Sequence, residues 1–387
     1  MSDPHNSPSK LASHTRSHAN GAMASRPNRR QVLTATAAGA AWSVTSRLIA
    51  ADPANDSATN AAQPSAATDT VAFFVVGDTH YLADRASTGK MDGRSSAICG
   101  RLVDTLNRLP GTTIPDAAGG GQIATPRGLI HAGDMIDTGD KQGPAAVEMQ
   151  KTEWAAFTDD YGLKGGDGRL KFPVYEVWGN HDSPHGKGLA LDKIRERNKS
   201  RPAVGHVSEN GLHYSWDWDR FHFVNLGLIV GGDRQVTRKR RYAALDSLDF
   251  LIADLRDKVG TSGRPIIITH HIDIARYTGP CDPTAEPGSK EWDPCDVLAF
   301  HKALEGYKVA AIFYGHTHAR GVFRWDGQSP KATTGISVFN TDNASHFSGP
   351  AQAIFYVEAT GDQVTVREYQ TKDGWETGFF TPQKWTT

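Results

Sequence analysis

Residues 71–80 read Val-Ala-Phe-Phe-Val-Val-Gly-Asp-Thr-His. Six apolar residues in an unbroken run, closed by glycine, describe a strand buried on both faces. The Asp and His that follow turn abruptly polar. A mainly apolar run ending in a polar loop of Asp, Asn or His recurs four times downstream, with glycine at the junction in all but the third. Gly128-Leu-Ile-His-Ala132 runs into Gly133-Asp134-Met135-Ile136-Asp137, and Pro173-Val-Tyr-Glu-Val-Trp178 into Gly179-Asn180-His181-Asp182. Arg264-Pro-Ile-Ile-Ile-Thr269 runs into His270-His271, and Val309-Ala-Ala-Ile-Phe-Tyr314 into Gly315-His316-Thr317-His318.

Helical patterns lie between these strands. Ala145–Tyr161 and Leu245–Val259 carry apolar residues at 3–4 spacing, and Asp296 reads as the N-cap of a helix over Asp296–Tyr307. Alternation around Asp219 predicts one hairpin (His213–Trp218 with Arg220–Leu226). Alternation around Thr360-Gly361-Asp362 predicts another (Ala351–Ala359 with Gln363–Tyr369). Strands alternating with helices give a layered α/β domain with mixed sheets, covering residues 70–387 as one domain. No internal repeat is present.

Composition narrows the function. The chain has 387 residues, with 42 Lys+Arg against 43 Asp+Glu. A net charge of −1 argues against a general nucleic-acid binder. No apolar run reaches the roughly 18–20 residues of a membrane span. Three cysteines are too few for a disulfide scaffold or a Cys-rich zinc module. Cys99 falls in a helical pattern and reads as a small buried hydrophobe.

Residues 1–69 are rich in Ser, Ala, Asn and Thr and are set aside from the fold as a disordered leader. Within them, Asn28-Arg29-Arg30-Gln31-Val32-Leu33 precedes a mild apolar run and the small residues Ala50-Ala51. This order resembles a twin-arginine (Tat) export signal, implying passage through the Tat translocase to the periplasm or exterior.

Loops at strand carboxyl ends are where α/β folds place their sites. Asp, Asn and His without thiolate suit Fe, Mn, Zn or Co.

The ordered set Asp78-x-His80, Gly133-Asp134-x-x-Asp137, Gly179-Asn180-His181-Asp182, His270 after its strand and Gly315-His316-x-His318 resembles the calcineurin-like metallophosphoesterase superfamily. The resemblance runs from Gly77 to His318. It implies a four-layer αββα sandwich with two divalent or trivalent transition metals at one edge. Asp78, His80 and His318 would hold the first metal. Asn180, His270 and His316 would hold the second, with Asp134 bridging. His181 would stay off the metals as general acid, oriented by Asp137, while hydroxide generated at the metals attacks phosphorus. Asp at 137 and His at 80 depart from the purple acid phosphatase pattern, so no tyrosinate colour is expected.

The substrate class implied is a small-molecule phosphate ester. Phosphomonoesterase is slightly favoured over phosphodiesterase of cyclic-nucleotide or phospholipid type. A catalytically inactive metal-binding module is the rival from another class. Arg276, Tyr277, Trp292, Arg320 and His346 are candidates for gripping substrate. The Pro-rich insert Tyr277–Asp296 follows the His270 strand and should overhang the site. Its Cys281 and Cys295 are either two free thiols or, after export, a disulfide. Closing a loop of about 15 residues is worth roughly 3 kcal/mol in the chain-entropy account.

Overall fold

The computed structural model describes residues 70–232, 234, 236–285, 290–329 and 331–387. The predicted leader, residues 1–69, and the motif in it that resembles an export signal lie outside the described residues. All described residues fall within one compact unit.

In chain order the strands are β1 (Thr70–Val76), β2 (Leu129–His131), β3 (Val174–Glu176), β4 (Val204–Val207), β5 (Tyr214–Trp218), β6 (Phe221–Asn225) and β7 (Ile266–Thr269). They continue with β8 (Val309–Tyr314), β9 (Gly321–Trp325), β10 (Ile336–Asn340), β11 (Gln352–Thr360), β12 (Gln363–Thr371) and β13 (Phe379–Thr386). The α-helices are α1 (Gly93–Arg108), α2 (Pro144–Asp160), α3 (Leu189–Ser200), α4 (Ser247–Asp254) and α5 (Pro294–Leu304). Two mixed sheets result, one ordered β13-β12-β11-β1-β2-β3 and the other β4-β5-β6-β7-β8-β10-β9.

Alternation along β1 explains the layering. Val71, Phe73 and Val75 join one core cluster with Trp216, Trp218, Phe223, Ile267 and Phe313 of the other sheet. Ala72, Phe74 and Val76 face the opposite way, into a cluster with Leu102 and Leu106 of α1 and Phe157 of α2. Each buried side chain of this size contributes roughly 1.5–3 kcal/mol. The sheets therefore face each other, and the helices cover the outsides. Both predicted hairpins are present, as β5–β6 and β11–β12.

Two helix boundaries differ from expectation. The last helix begins at Pro294 rather than Asp296, because Asp293 is its cap and accepts from the Cys295 N–H at 2.9 Å. Pro294 suits the first helical position, where no N–H is needed. Asp296 is instead fully buried and paired with Arg240 at 2.6 Å. The Leu245–Val259 pattern divides into α4 and a wider π turn over Leu255–Val259. Strands β1, β2 and β3 run parallel, as do β6, β7 and β8. Their carboxyl ends therefore bring the five polar loops together. No described helix is long and apolar enough to cross a membrane.

Candidate metal centre

Backbone geometry comes first. Asp78, His80, Asp134, His316 and His318 all hold positive φ, between 45° and 76°. Non-glycine residues avoid this region, so the surrounding loops must hold them there; such strain gathers at functional sites. Two glycines permit the close approach. A Cβ on Gly179 would lie 2.1 Å from Asp134 Oδ1, and one on Gly133 would lie 2.5 Å from His271 Nδ1. Asp182 ties two loops together by accepting from the N–H groups of Ile136 (2.9 Å) and Gly179 (2.7 Å).

Two groups of donor atoms result. In the first, His80 Nε2 lies 3.1 Å from His318 Nε2 and 3.6 Å from Asp134 Oδ2, and His318 Nε2 lies 3.4 Å from Asp78 Oδ1. In the second, His271 Nε2 lies 3.3 Å from Asp134 Oδ2 and 3.1 Å from Asn180 Oδ1, and His316 Nδ1 lies 2.7 Å from the same Asn180 oxygen. Asp134 belongs to both.

The outward nitrogens of three rings already have partners. His80 Nδ1 lies 3.1 Å from Asp137 Oδ1, His271 Nδ1 lies 2.7 Å from the Ala132 carbonyl, and His316 Nε2 lies 3.1 Å from Glu291 Oε2. A neutral imidazole has one N–H, and these acceptors claim it. The inward nitrogens then present lone pairs to carboxylate and amide oxygens, an arrangement that calls for cations between them. Asp78 and Asp134 are buried without Lys or Arg among their described partners, which points the same way. Burial raises the Asp134 pKa, yet His271, His80 and His181 together hold it well below the usual range. Burial likewise opposes charge on His271, but with no cation present Asp134 and Asp78 raise that histidine to about 9, so that a proton on Nε2 fills the place a metal would take. The spot attracts positive charge, and the residues present fit two metal ions.

One sequence assignment is corrected here. His270 is buried against Trp292, Phe300 and Tyr314, with neither ring nitrogen bonded. Burial depresses its pKa to about 3. His271 takes the place proposed for it. Along β7, Ile266 and Ile268 face the helices while Ile267 faces the other sheet. His270 continues the helix-facing parity and His271 the inter-sheet parity, which leads to the site.

Asp137 is also reassigned. Its carboxylate sits on His80 and is 3.8 Å from His181 Nδ1, too far for a hydrogen bond. His181 Nδ1 lies 3.0 Å from the Asp137 carbonyl oxygen instead, and the His181 N–H donates to Asp134 Oδ1 at 2.7 Å. Burial lowers the His181 pKa, but Asp134, the Asp137 carbonyl and the Asp137 and Asp140 carboxylates outweigh it and raise the value.

A family profile, Calcineurin-like phosphoesterase, matches residues 71–320. The chain belongs to this family. Among solved structures it is similar to a dimetal phosphatase from Danio rerio, at 13% identity and TM-score 0.50, covering 82% of this chain and 98% of that one. It is also similar to a purple acid phosphatase from yellow lupin (Lupinus luteus), at 11% identity and TM-score 0.48, covering 82% of this chain and 54% of that one. These identities speak to the fold alone. No curated protein sequence matches the chain.

The substrate candidates separate. His346 lies beside the first group, its ring centroid 4.5 Å from His80 and 4.8 Å from His318. Tyr277 is near the second group, its hydroxyl donating to Glu291 at 2.7 Å, and Arg276 pairs with Glu291 and Asp273. Trp292 is no substrate contact: it is fully buried, its Nε1–H bonded to the Val230 carbonyl. Arg320 pairs with Glu368 at 2.8 Å and covers Trp385. Cys281 and Cys295 form a disulfide. Glu291 escaped sequence reasoning, because nothing in Glu-Trp-Asp-Pro-Cys marks the Glu as special. The flanking cysteines were the available signal.

Proposed function

We propose that this chain is a dinuclear metal-dependent phosphoesterase acting on small-molecule phosphate esters, with monoesters favoured over diesters. The observation that carries the reading is one carboxylate, Asp134, shared by two His-containing donor groups. The first group is Asp78, His80, Asp134 and His318; the second is Asp134, Asn180, His271 and His316. The zebrafish relative in fold is a dimetal phosphatase, which agrees with this reading. When bound, two such cations acidify water towards pKa ~7 and neutralise charge on phosphoryl oxygens.

The protein's own part is proton transfer and positioning. His181 is about a third exposed and stands beside His80, ring centroids 4.7 Å apart. Its Nδ1–H is engaged by the Asp137 carbonyl, which leaves Nε2 to give a proton to the departing alkoxide. The Asp137 carbonyl and the Asp137 and Asp140 carboxylates favour its proton-donating form, whereas the pull of Asp134 would be cancelled by bound cations. The N–H bond from His181 to Asp134 fixes the acid relative to the shared carboxylate. Export by the Tat route to the periplasm or exterior completes the proposal. The twin-arginine motif supports it, and a bridged Cys281–Cys295 suits an oxidising compartment.

The test compares p-nitrophenyl phosphate with bis-p-nitrophenyl phosphate in the presence of Mn²⁺. Faster monoester turnover is expected. Faster diester turnover would move the assignment to phosphodiesters, and hydrolysis of neither by metal-loaded protein would overturn the enzyme reading. A mature N-terminus still at residue 1 after secretion would refute the export signal.

A further inference from the structure

The insertion after β7 sends one carboxylate back to the metal centre. Glu291 Oε2 lies 3.1 Å from His316 Nε2, and its side chain is 13% exposed. The same oxygen accepts from the Tyr277 hydroxyl at 2.7 Å and lies 3.3 Å from Arg276 Nη2. The opposite ring nitrogen of His316, Nδ1, faces Asn180 Oδ1 at 2.7 Å. The imidazole thus spans from the donor group to the insertion. With its single N–H at Nε2 donated to Glu291, its Nδ1 lone pair is aimed inward. An acceptor on the far nitrogen also fixes the ring plane and the tautomer that aims Nδ1 inward.

The position of Glu291 is itself held from both sides. Its neighbour Trp292 is buried, with Nε1–H bonded to the Val230 carbonyl at 3.0 Å. Asp293 receives two bonds from Arg238, at 2.7 and 2.8 Å, and caps α5. The Cys281–Cys295 disulfide closes the insertion around it. A surface loop with no role would not need a buried tryptophan, a two-bond arginine clamp and a covalent bridge within five residues of one another.

We infer that Glu291 is a positioning residue for His316, and that the disulfide-closed insertion serves to present it to the donor group of Asp134, Asn180, His271 and His316. The consequence for catalysis rests on the phosphoesterase reading above; the metal-binding consequence does not. Glu291 acts through His316 and touches no reacting atom.

The experiment titrates the metal-free full chain with Co²⁺, following its visible absorption and competition with a chelator. Wild type is compared with Glu291→Ala, Glu291→Gln and the double variant Cys281→Ser/Cys295→Ser. Unfolding midpoints are recorded alongside. Glu291→Ala should weaken one of two Co²⁺ equivalents by about 10- to 100-fold and alter its spectrum. Glu291→Gln keeps an acceptor oxygen of the same reach and should recover most of that loss. The double cysteine variant should weaken the same equivalent by a smaller factor. Wild-type affinity and spectrum in Glu291→Ala would overturn the inference. So would equal losses in the Ala and Gln variants, which would assign the effect to charge rather than to a bond with His316. If wild type binds Co²⁺ tightly but hydrolyses no phosphate ester, the phosphoesterase reading fails while the titration still decides the role of Glu291.

Discussion

Replacing Asp137 asks which histidine its carboxylate serves. The sequence pattern assigns it to His181, but the distances assign it to His80: 3.1 Å from Oδ1 to His80 Nδ1 against 3.8 Å to His181 Nδ1. His181 is held by the Asp137 carbonyl, which any side-chain substitution leaves in place. A hydrogen bond to a charged group contributes about 1.5–3 kcal/mol net. At about 1.4 kcal/mol per factor of ten, that is roughly 10- to 150-fold. The usual cost of removing such an outer partner of a metal-binding histidine, about 10- to 100-fold, agrees. Asp137→Ala should therefore weaken Mn²⁺ binding at the His80 group by this factor, and saturating Mn²⁺ should restore most turnover. Asp137→Asn, which retains an acceptor, should lose less. The assay is p-nitrophenyl phosphate hydrolysis across a Mn²⁺ series, with bound metal measured by chelator competition. Unchanged Mn²⁺ affinity, with a turnover loss that grows as the leaving alcohol becomes more basic, would refute the argument and return the carboxylate to His181.

His181→Ala should keep both metals and lose about 10²- to 10⁴-fold in turnover on alkyl phosphates, with a smaller loss on p-nitrophenyl phosphate, whose leaving group needs less protonation. Undiminished alkyl phosphate hydrolysis would remove His181 from the acid role. His271→Ala should lose at least one metal equivalent by elemental analysis, whereas His270→Phe should keep the full complement; the reverse result would restore His270 as the ligand. Glu176 supplies a pH prediction. Burial alone would raise its pKa, but the guanidiniums of Arg197 and Arg201 bring it down to about 2. Its folded value is depressed, so its stabilisation is present above about pH 4.5 and is lost as pH falls towards 2. The shift corresponds to about 3 kcal/mol at neutral pH. Acid titration of the unfolding free energy should show this slope, and Arg201→Met, which strands part of a buried charge, should cost about 3–5 kcal/mol. A flat stability profile between pH 5 and 2.5 would contradict it.

Sequence alone determined the five strand-to-loop junctions and the residue types at them. Those signals are local: an apolar run marks a buried strand wherever it packs, and glycine followed by Asp, Asn or His marks a tight polar turn. The two hairpins were legible for the same reason, since alternation and a turn residue suffice. Strands β9 and β13 have weaker patterns because they lie at sheet edges and are partly exposed on both faces, while in the buried β10 the polar Ser337 and Asn340 interrupt the apolar run. Tertiary structure decided what local signals could not. His270 and His271 are adjacent and chemically identical, and only the orientation of β7 between helices and sheet sends the second one inward. The Asp137 carboxylate could have reached either of two histidines, and the fold of its loop placed it on His80. Trp292 and Glu291 are neighbours, yet one is buried under α5 and the other touches His316, 25 positions along the chain. A side chain's partner across the fold depends on distances of a few tenths of a nanometre, set by packing of distant segments, and no spacing along the chain encodes them.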